Sequence, residues 1–162
     1  MTLGQLKSYV RLNQDDNLQT KLIDLIEKPF WSTTNKKAND TLIPDLITIF
    51  ENRFYIFDAK YYTPKLKYGE IPKGQPGIKS VTKQYLYQLA YKKFIDAHDF
   101  EDVKNCFLLP TEEKVLKDLG EVSMEMFEEL GLQNIKVRCI PASIAYECYL
   151  SCKKIDVRSL KL

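Results

Sequence analysis

The sequence predicts an α/β (α+β) fold in which a mixed β-sheet is flanked by helices. Two runs rich in β-branched and aromatic residues, LIPDLITIF and RFYIFDAKYY, follow one another with only Glu51 and Asn52 between them. Further on, Ile78 to Ala97 repeats apolar residues at helical spacing. Helical and strand-like stretches run in the order α-β-β-α-β-β-β-α, the pattern of a mixed sheet with helices on its faces.

Residues 1–16 are polar and unpatterned after a short apolar start and read as a lead segment. Residues 17–162 read as one domain. Asn17 to Trp31 predicts a helix, with Leu18, Leu22, Leu25 and Ile26 on one face and Pro29 near its end. Ser32 to Asp40 is a loop, and Thr41–Phe50 and Arg53–Tyr62 are strands. The second strand is apolar on both faces, the mark of a central position. Thr63 to Gly77 holds three prolines and three glycines and is a loop. In the helix Ile78–Ala97, Val81, Tyr85 and Leu89 form one line, and Leu86, Ala90 and Phe94 another. Val103–Leu109 and Ile135–Ile140 are strands. Val122–Phe127 alternates like a strand within helix-forming company and is read as a strand. Ala142–Lys153 is a closing helix with Ile144, Cys148 and Tyr149 inward.

A chain of 162 residues, 44% hydrophobic and 28% charged, is long enough for one sizeable core. No apolar run approaches the roughly 18 residues of a membrane span, and the N-terminus lacks an apolar signal core. Cys106, Cys139, Cys148 and Cys152 contain no CxxC pair, and His98 is the only histidine, so a zinc site is not indicated. These read as reduced thiols of a cytoplasmic protein. The net charge of +2 says little, but its distribution says more. Seven lysines and one acid, Glu70, lie between Tyr61 and Lys93. Lys65, Lys67, Lys73, Lys79 and Lys83 are therefore candidate contacts for a polyanion; a solvated lysine-rich face is the alternative. Tyr61, Tyr62 and Tyr68 are read as packing residues of the protein, with packing against the sugars of a bound strand as the alternative.

Charge inside an apolar strand is costly unless it is paired or metal-bound. Asp45, Asp58 and Lys60 interrupt the two strand runs. If Glu51-Asn52 is a two-residue hairpin turn, Phe50 faces Arg53 and the pairing continues outward until Asp45 faces Asp58. Both carboxylates then share one sheet face, with Cβ atoms about 4.5–5.5 Å apart. Lys60, two residues on, shares that face. Such close carboxylates repel unless a cation or proton intervenes. Mg²⁺ suits them because it favours oxygen ligands and keeps several waters, and the Ala59 carbonyl is a further oxygen at that point. Lys60 stands where it can orient the attacking water or stabilise the transition state. The alternative is a structural ion pair between Asp58 and Lys60.

Pro44-Asp45, a twelve-residue spacer and Asp58-Ala59-Lys60 resemble the hallmark of the PD-(D/E)xK nuclease superfamily. More narrowly, DAKYY, a Pro/Gly loop and KQYLYQLAY are similar to LlaJI-type restriction endonucleases and the nuclease domains of McrC-like proteins. The resemblance covers residues 17–153. It implies a restriction-endonuclease-like mixed sheet and a Mg²⁺-dependent endonuclease, with Mn²⁺ able to substitute. It also implies a glutamine at the site on the helix after the lysine strand. Gln84, Gln88 and Tyr91 lie on one face there, and the choice between Gln84 and Gln88 stays open. The first-helix acid implied as a metal ligand is Glu27, or alternatively Asp24.

The expected function is DNA cleavage in a bacterial restriction system. The rivals are a DNA repair or recombination nuclease and a non-catalytic DNA-binding or subunit-docking module of the same fold. Without a helix-turn-helix or zinc motif, base readout is expected from a partner domain or subunit. Double-stranded DNA is the expected substrate, and double-strand cutting would suit a homodimer.

Overall fold

The computed structural model describes residues 22–162. The lead segment 1–16 and the first residues of the predicted helix, 17–21, lie outside the described residues. A five-stranded sheet runs through the molecule in the order β3-β4-β5-β7-β6. Its strands are β3 (Leu46–Phe50), β4 (Arg53–Ala59), β5 (Asp102–Thr111), β6 (Lys117–Val122) and β7 (Ile135–Pro141). β4, β5 and β7 are parallel, while β3 and β6 are antiparallel edges. The mixed sheet flanked by helices is the predicted class.

The β3–β4 hairpin has the predicted register, from Phe50 opposite Arg53 to Leu46 opposite Phe57. Glu51 (φ 48°) and Asn52 (φ 57°) are both left-handed, the type I′ pattern that matches strand twist. Phe54 and Ile56 point to one face, with Ile47 beside them, and Tyr55 and Phe57 point to the other. Both faces of β4 are buried, as its apolar composition implies.

The crossover from β4 to its parallel neighbour β5 carries α1 (Ile78–Ala90) and α2 (Lys92–Ala97). One continuous helix was expected from the periodicity. It breaks at Tyr91 (φ −92°, ψ 0°), whose ring packs on Phe54 at 5.3 Å. The buried face also differs from the expected one. Val81, Gln84, Tyr85, Tyr87 and Gln88 are buried, whereas Leu86 and Leu89 are exposed. Two glutamines enter the core because each finds a hydrogen-bonding partner there.

Other segments also depart from the expectation. Within Asn17–Trp31, the helical part among the described residues is a single 3₁₀ turn, Leu22–Leu25. Pro29 precedes a strand instead: β1 (Phe30–Trp31) pairs with β2 (Lys36–Lys37) inside the expected loop 32–40. Val122–Phe127 is not a strand. Val122 ends β6, and Glu125–Glu128 is the short helix α3, which drives Phe127 onto the Tyr85 ring at 4.4 Å. β6 itself went unpredicted because its sequence, KDLGEV, carries charge and a glycine; its pairing is interrupted by a bulge, as befits an edge. The closing helix α4 (Ala142–Leu150) forms, but Ile144 and Cys148 are only half-buried and Tyr149 is exposed. Among the described residues no helix is long and apolar enough to cross a membrane.

Candidate active site

Asp58 is the penultimate residue of β4, at the carboxyl end of a parallel strand, where open α/β sheets place their ligand crevices. It lies on the α1-covered face with Ile56 and Phe54, because side chains alternate along the strand. Its side chain is only 4% exposed and pairs with Lys60 Nζ, itself 18% exposed. Asp45 precedes β3 at the same end of the hairpin, and its Oδ2 accepts the Ala59 N–H at 3.1 Å. The structure thus brings Asp45, Asp58, Ala59 and Lys60 together.

The backbone arranges Ala59 for this contact. Lys60 N–H donates to Leu108 O of β5 at 2.9 Å. Neighbouring peptide groups in a strand face opposite ways, so the Ala59 N–H and C=O turn toward the β3 edge. The Asp45 carboxylate and the Ala59 carbonyl therefore occupy the same side.

Electrostatics set this cluster apart. Burial pushes the Asp58 carboxyl above the usual carboxylate range. The bond to Lys60 opposes that rise, while hydrogen bonding and like charge from Asp45 add to it. Tyr87, whose hydroxyl donates to Ile43 O at 2.9 Å, has its phenol raised by burial and then by Asp58 and Asp45. Sequence reasoning missed Tyr87, which caps the entry to β3. It also missed Asn105, a buried amide on β5 opposite Ile56. The signal for Asn105 was a lone amide inside the apolar run VKNCFLLP.

Gln84 Nε2 donates to Asn105 Oδ1 at 2.6 Å and to Ile56 O at 3.2 Å. It thereby ties α1 to the β4 backbone two residues before Asp58. Gln88 works elsewhere: its Oε1 accepts the Gln133 N–H at 3.0 Å, in the turn leading to β7. Tyr91 belongs to the aromatic core around Phe54. Glu27 and Asp24 are exposed, and Glu27 contributes its main-chain carbonyl to the Thr41 hydroxyl at 2.5 Å. Among the described residues no three His, Cys, Asp or Glu side chains gather to hold a metal, so neither first-segment acid joins the pair.

Two carboxylates and one carbonyl do not make a closed metal cage. They do fit Mg²⁺, which is held by one or two carboxylates together with waters and substrate phosphate. Lys65, Lys67, Lys73, Lys79 and Lys83 are all exposed. The first three lie on the loop leaving Lys60, and Lys79 and Lys83 on α1. Lys83 Nζ stands 5.5 Å from the centre of the Tyr87 ring, which links this row to the acidic end of the hairpin.

No solved structure matches the chain. The chain is 32% identical over 145 residues to the type II restriction enzyme BsuMI component YdjA of Bacillus subtilis (strain 168). That alignment covers 83% of this chain but 30% of the relative, so the chain spans about a third of that protein's length. The family model described as LlaJI restriction endonuclease matches residues 13–148. The chain therefore belongs to the LlaJI restriction endonuclease family.

Proposed function

We propose that residues 17–162 form the cleavage module of a bacterial restriction system, hydrolysing phosphodiester bonds of double-stranded DNA with Mg²⁺ or Mn²⁺. The observation that carries the reading is a buried carboxylate, Asp58, held beside a second acid, Asp45, and beside Lys60. A structural ion pair would not need the second acid, whose charge only raises the cost of ionising the first.

In this reading Asp45, Asp58 and the Ala59 carbonyl bind the divalent ion. When bound, the ion lowers the pKa of a water and offsets charge on the scissile phosphate. The Ala59 N–H fixes the Asp45 carboxylate, so little reorganisation is left for the reaction. Lys60 exchanges its bond to Asp58 for one to the attacking water or the developing phosphorane. Gln84 positions β4 through Ile56 O, and Gln88 braces the same helix from its far side. Lys65, Lys67, Lys73, Lys79 and Lys83 track the phosphate backbone. Glu27 joins only if its segment moves toward the acids on binding.

The relative is named as a component of a restriction enzyme. A partner domain or subunit supplying sequence recognition follows for this chain, and pairing of two cleavage modules would cut both strands. The test is plasmid cleavage with Mg²⁺ by the wild type, Asp58→Ala and Lys60→Ala. Both variants should lose about a hundredfold or more in rate. Equal cutting by all three would refute the assignment.

A further inference from the structure

The loop between Lys60 and α1 is built as an arm. Lys65 and Lys73 exchange two backbone hydrogen bonds, at 2.8 and 3.3 Å, which pinches residues 66–72 into a narrow tip. Below the pinch, Gly74 (φ +66°) faces Thr63: a Cβ there would stand 3.0 Å from the Thr63 carbonyl oxygen. Only glycine lets the two limbs lie that close. Pro76 is buried and anchors the base.

Two features of this arm are unfavourable in water. Lys65 lies directly across from Lys73, and like charges in that relation repel. The tip presents Tyr68 fully to solvent and Ile71 at 83% exposure. Glu70 and Lys67 form only an open pair at 3.8 Å across the turn. A polyanion would relieve the first cost, and contact with stacked bases the second. The arm also leaves the sheet next to Lys60, which fixes its base beside the acids.

We infer that the tip of this arm is a wedge for duplex DNA. Tyr68 and Ile71 enter a groove and part a base step near the phosphate held at Asp45, Asp58 and Lys60, while Lys65 and Lys73 straddle the adjoining phosphates. Apolar side chains inserted between base steps unstack them in this way. The inference rests on the nuclease reading and extends it by naming the element that engages the base stack.

The test uses the full chain and a short duplex that it cuts, carrying 2-aminopurine at successive steps. Binding is measured across a salt series for the wild type, Tyr68→Ser/Ile71→Ser and Lys65→Ala/Lys73→Ala. The exposed positions should leave thermal melting unchanged. The wild type should brighten the probe at one step. The tip variant should lose that signal and bind about tenfold more weakly with the same salt slope. The lysine variant should keep the signal at saturation and lower the slope by about two. A wild type that cuts without brightening any probe would overturn the wedge and leave the nuclease reading intact, as would a tip variant equal to the wild type. A wild type that neither binds nor cuts any duplex would remove both.

Discussion

Asp58 and Arg138 are both charged residues on central strands of one sheet, and both are buried. Their surroundings are opposite. The Arg138 side chain, 7% exposed, lies on the face away from α1. Its Nε and Nη2 donate to Leu160 O and Lys161 O at 3.0 and 3.2 Å, and Nη1 meets Asp118 Oδ1, Val137 O and Gly120 O. Every nitrogen of the guanidinium is used, and the result pins the C-terminal 3₁₀ turn (Val157–Leu160) and the β6 bulge to β7. Among the described residues Asp58 has one cation beside it, Lys60, and a like charge, Asp45. One buried charge is fully satisfied and acts as a staple. The other is held short of satisfaction, the condition of a group reserved for a ligand.

Variants at the two positions should separate these roles. Arg138→Ala removes the staple and leaves several carbonyls unpaired. We expect a loss of about 3 kcal/mol in chemical denaturation, with cleavage per folded molecule unchanged within a factor of two. Asp58→Asn should do the reverse. It should abolish cleavage yet stabilise the fold by about 1 kcal/mol, because a penalised charge is removed while an acceptor for Lys60 remains.

The pH dependence follows the same contrast. Asp58 is raised in the folded chain relative to the unfolded one. Its contribution to stability is thus fully present below the unfolded carboxylate value and is lost as pH rises through its folded value. The melting-temperature advantage of Asp58→Asn over the wild type should therefore shrink as the buffer is made more acidic. An advantage that grows on acidification would mean that Lys60 dominates the site. The smallest effect belongs to Asp118→Asn. Its carboxylate is largely exposed, so losing its pair with Arg138 should cost only about 0.5 kcal/mol while the carbonyl contacts persist.

The legible parts of the sequence were those governed by local rules. The period of two, together with a two-residue turn, fixed the hairpin register and brought Asp45, Asp58 and Lys60 to one end before any tertiary contact was known. Long-range pairing decided the rest. Leu86 and Leu89 looked like core residues, yet Gln84 and Gln88 took the buried face because Ile56, Asn105 and Gln133, distant in sequence, supply their partners. The staple at Arg138 was invisible for the same reason: its acceptors lie on three separate segments. β6 escaped notice because an edge strand bearing a glycine bulge has neither alternation nor β-branched character. Glu27 shows the reverse case: the resemblance implied an acid on a first helix, and the described residues there form only the 3₁₀ turn Leu22–Leu25, with Glu27 exposed beyond it.

The most direct measurement is calorimetric titration of Mg²⁺ and Mn²⁺ into the wild type and Asp58→Asn at several pH values. The wild type should show saturable uptake with proton release that grows as the buffer becomes more acidic, and Asp58→Asn should show none. Equal uptake by both proteins, or none by either, would contradict that expectation.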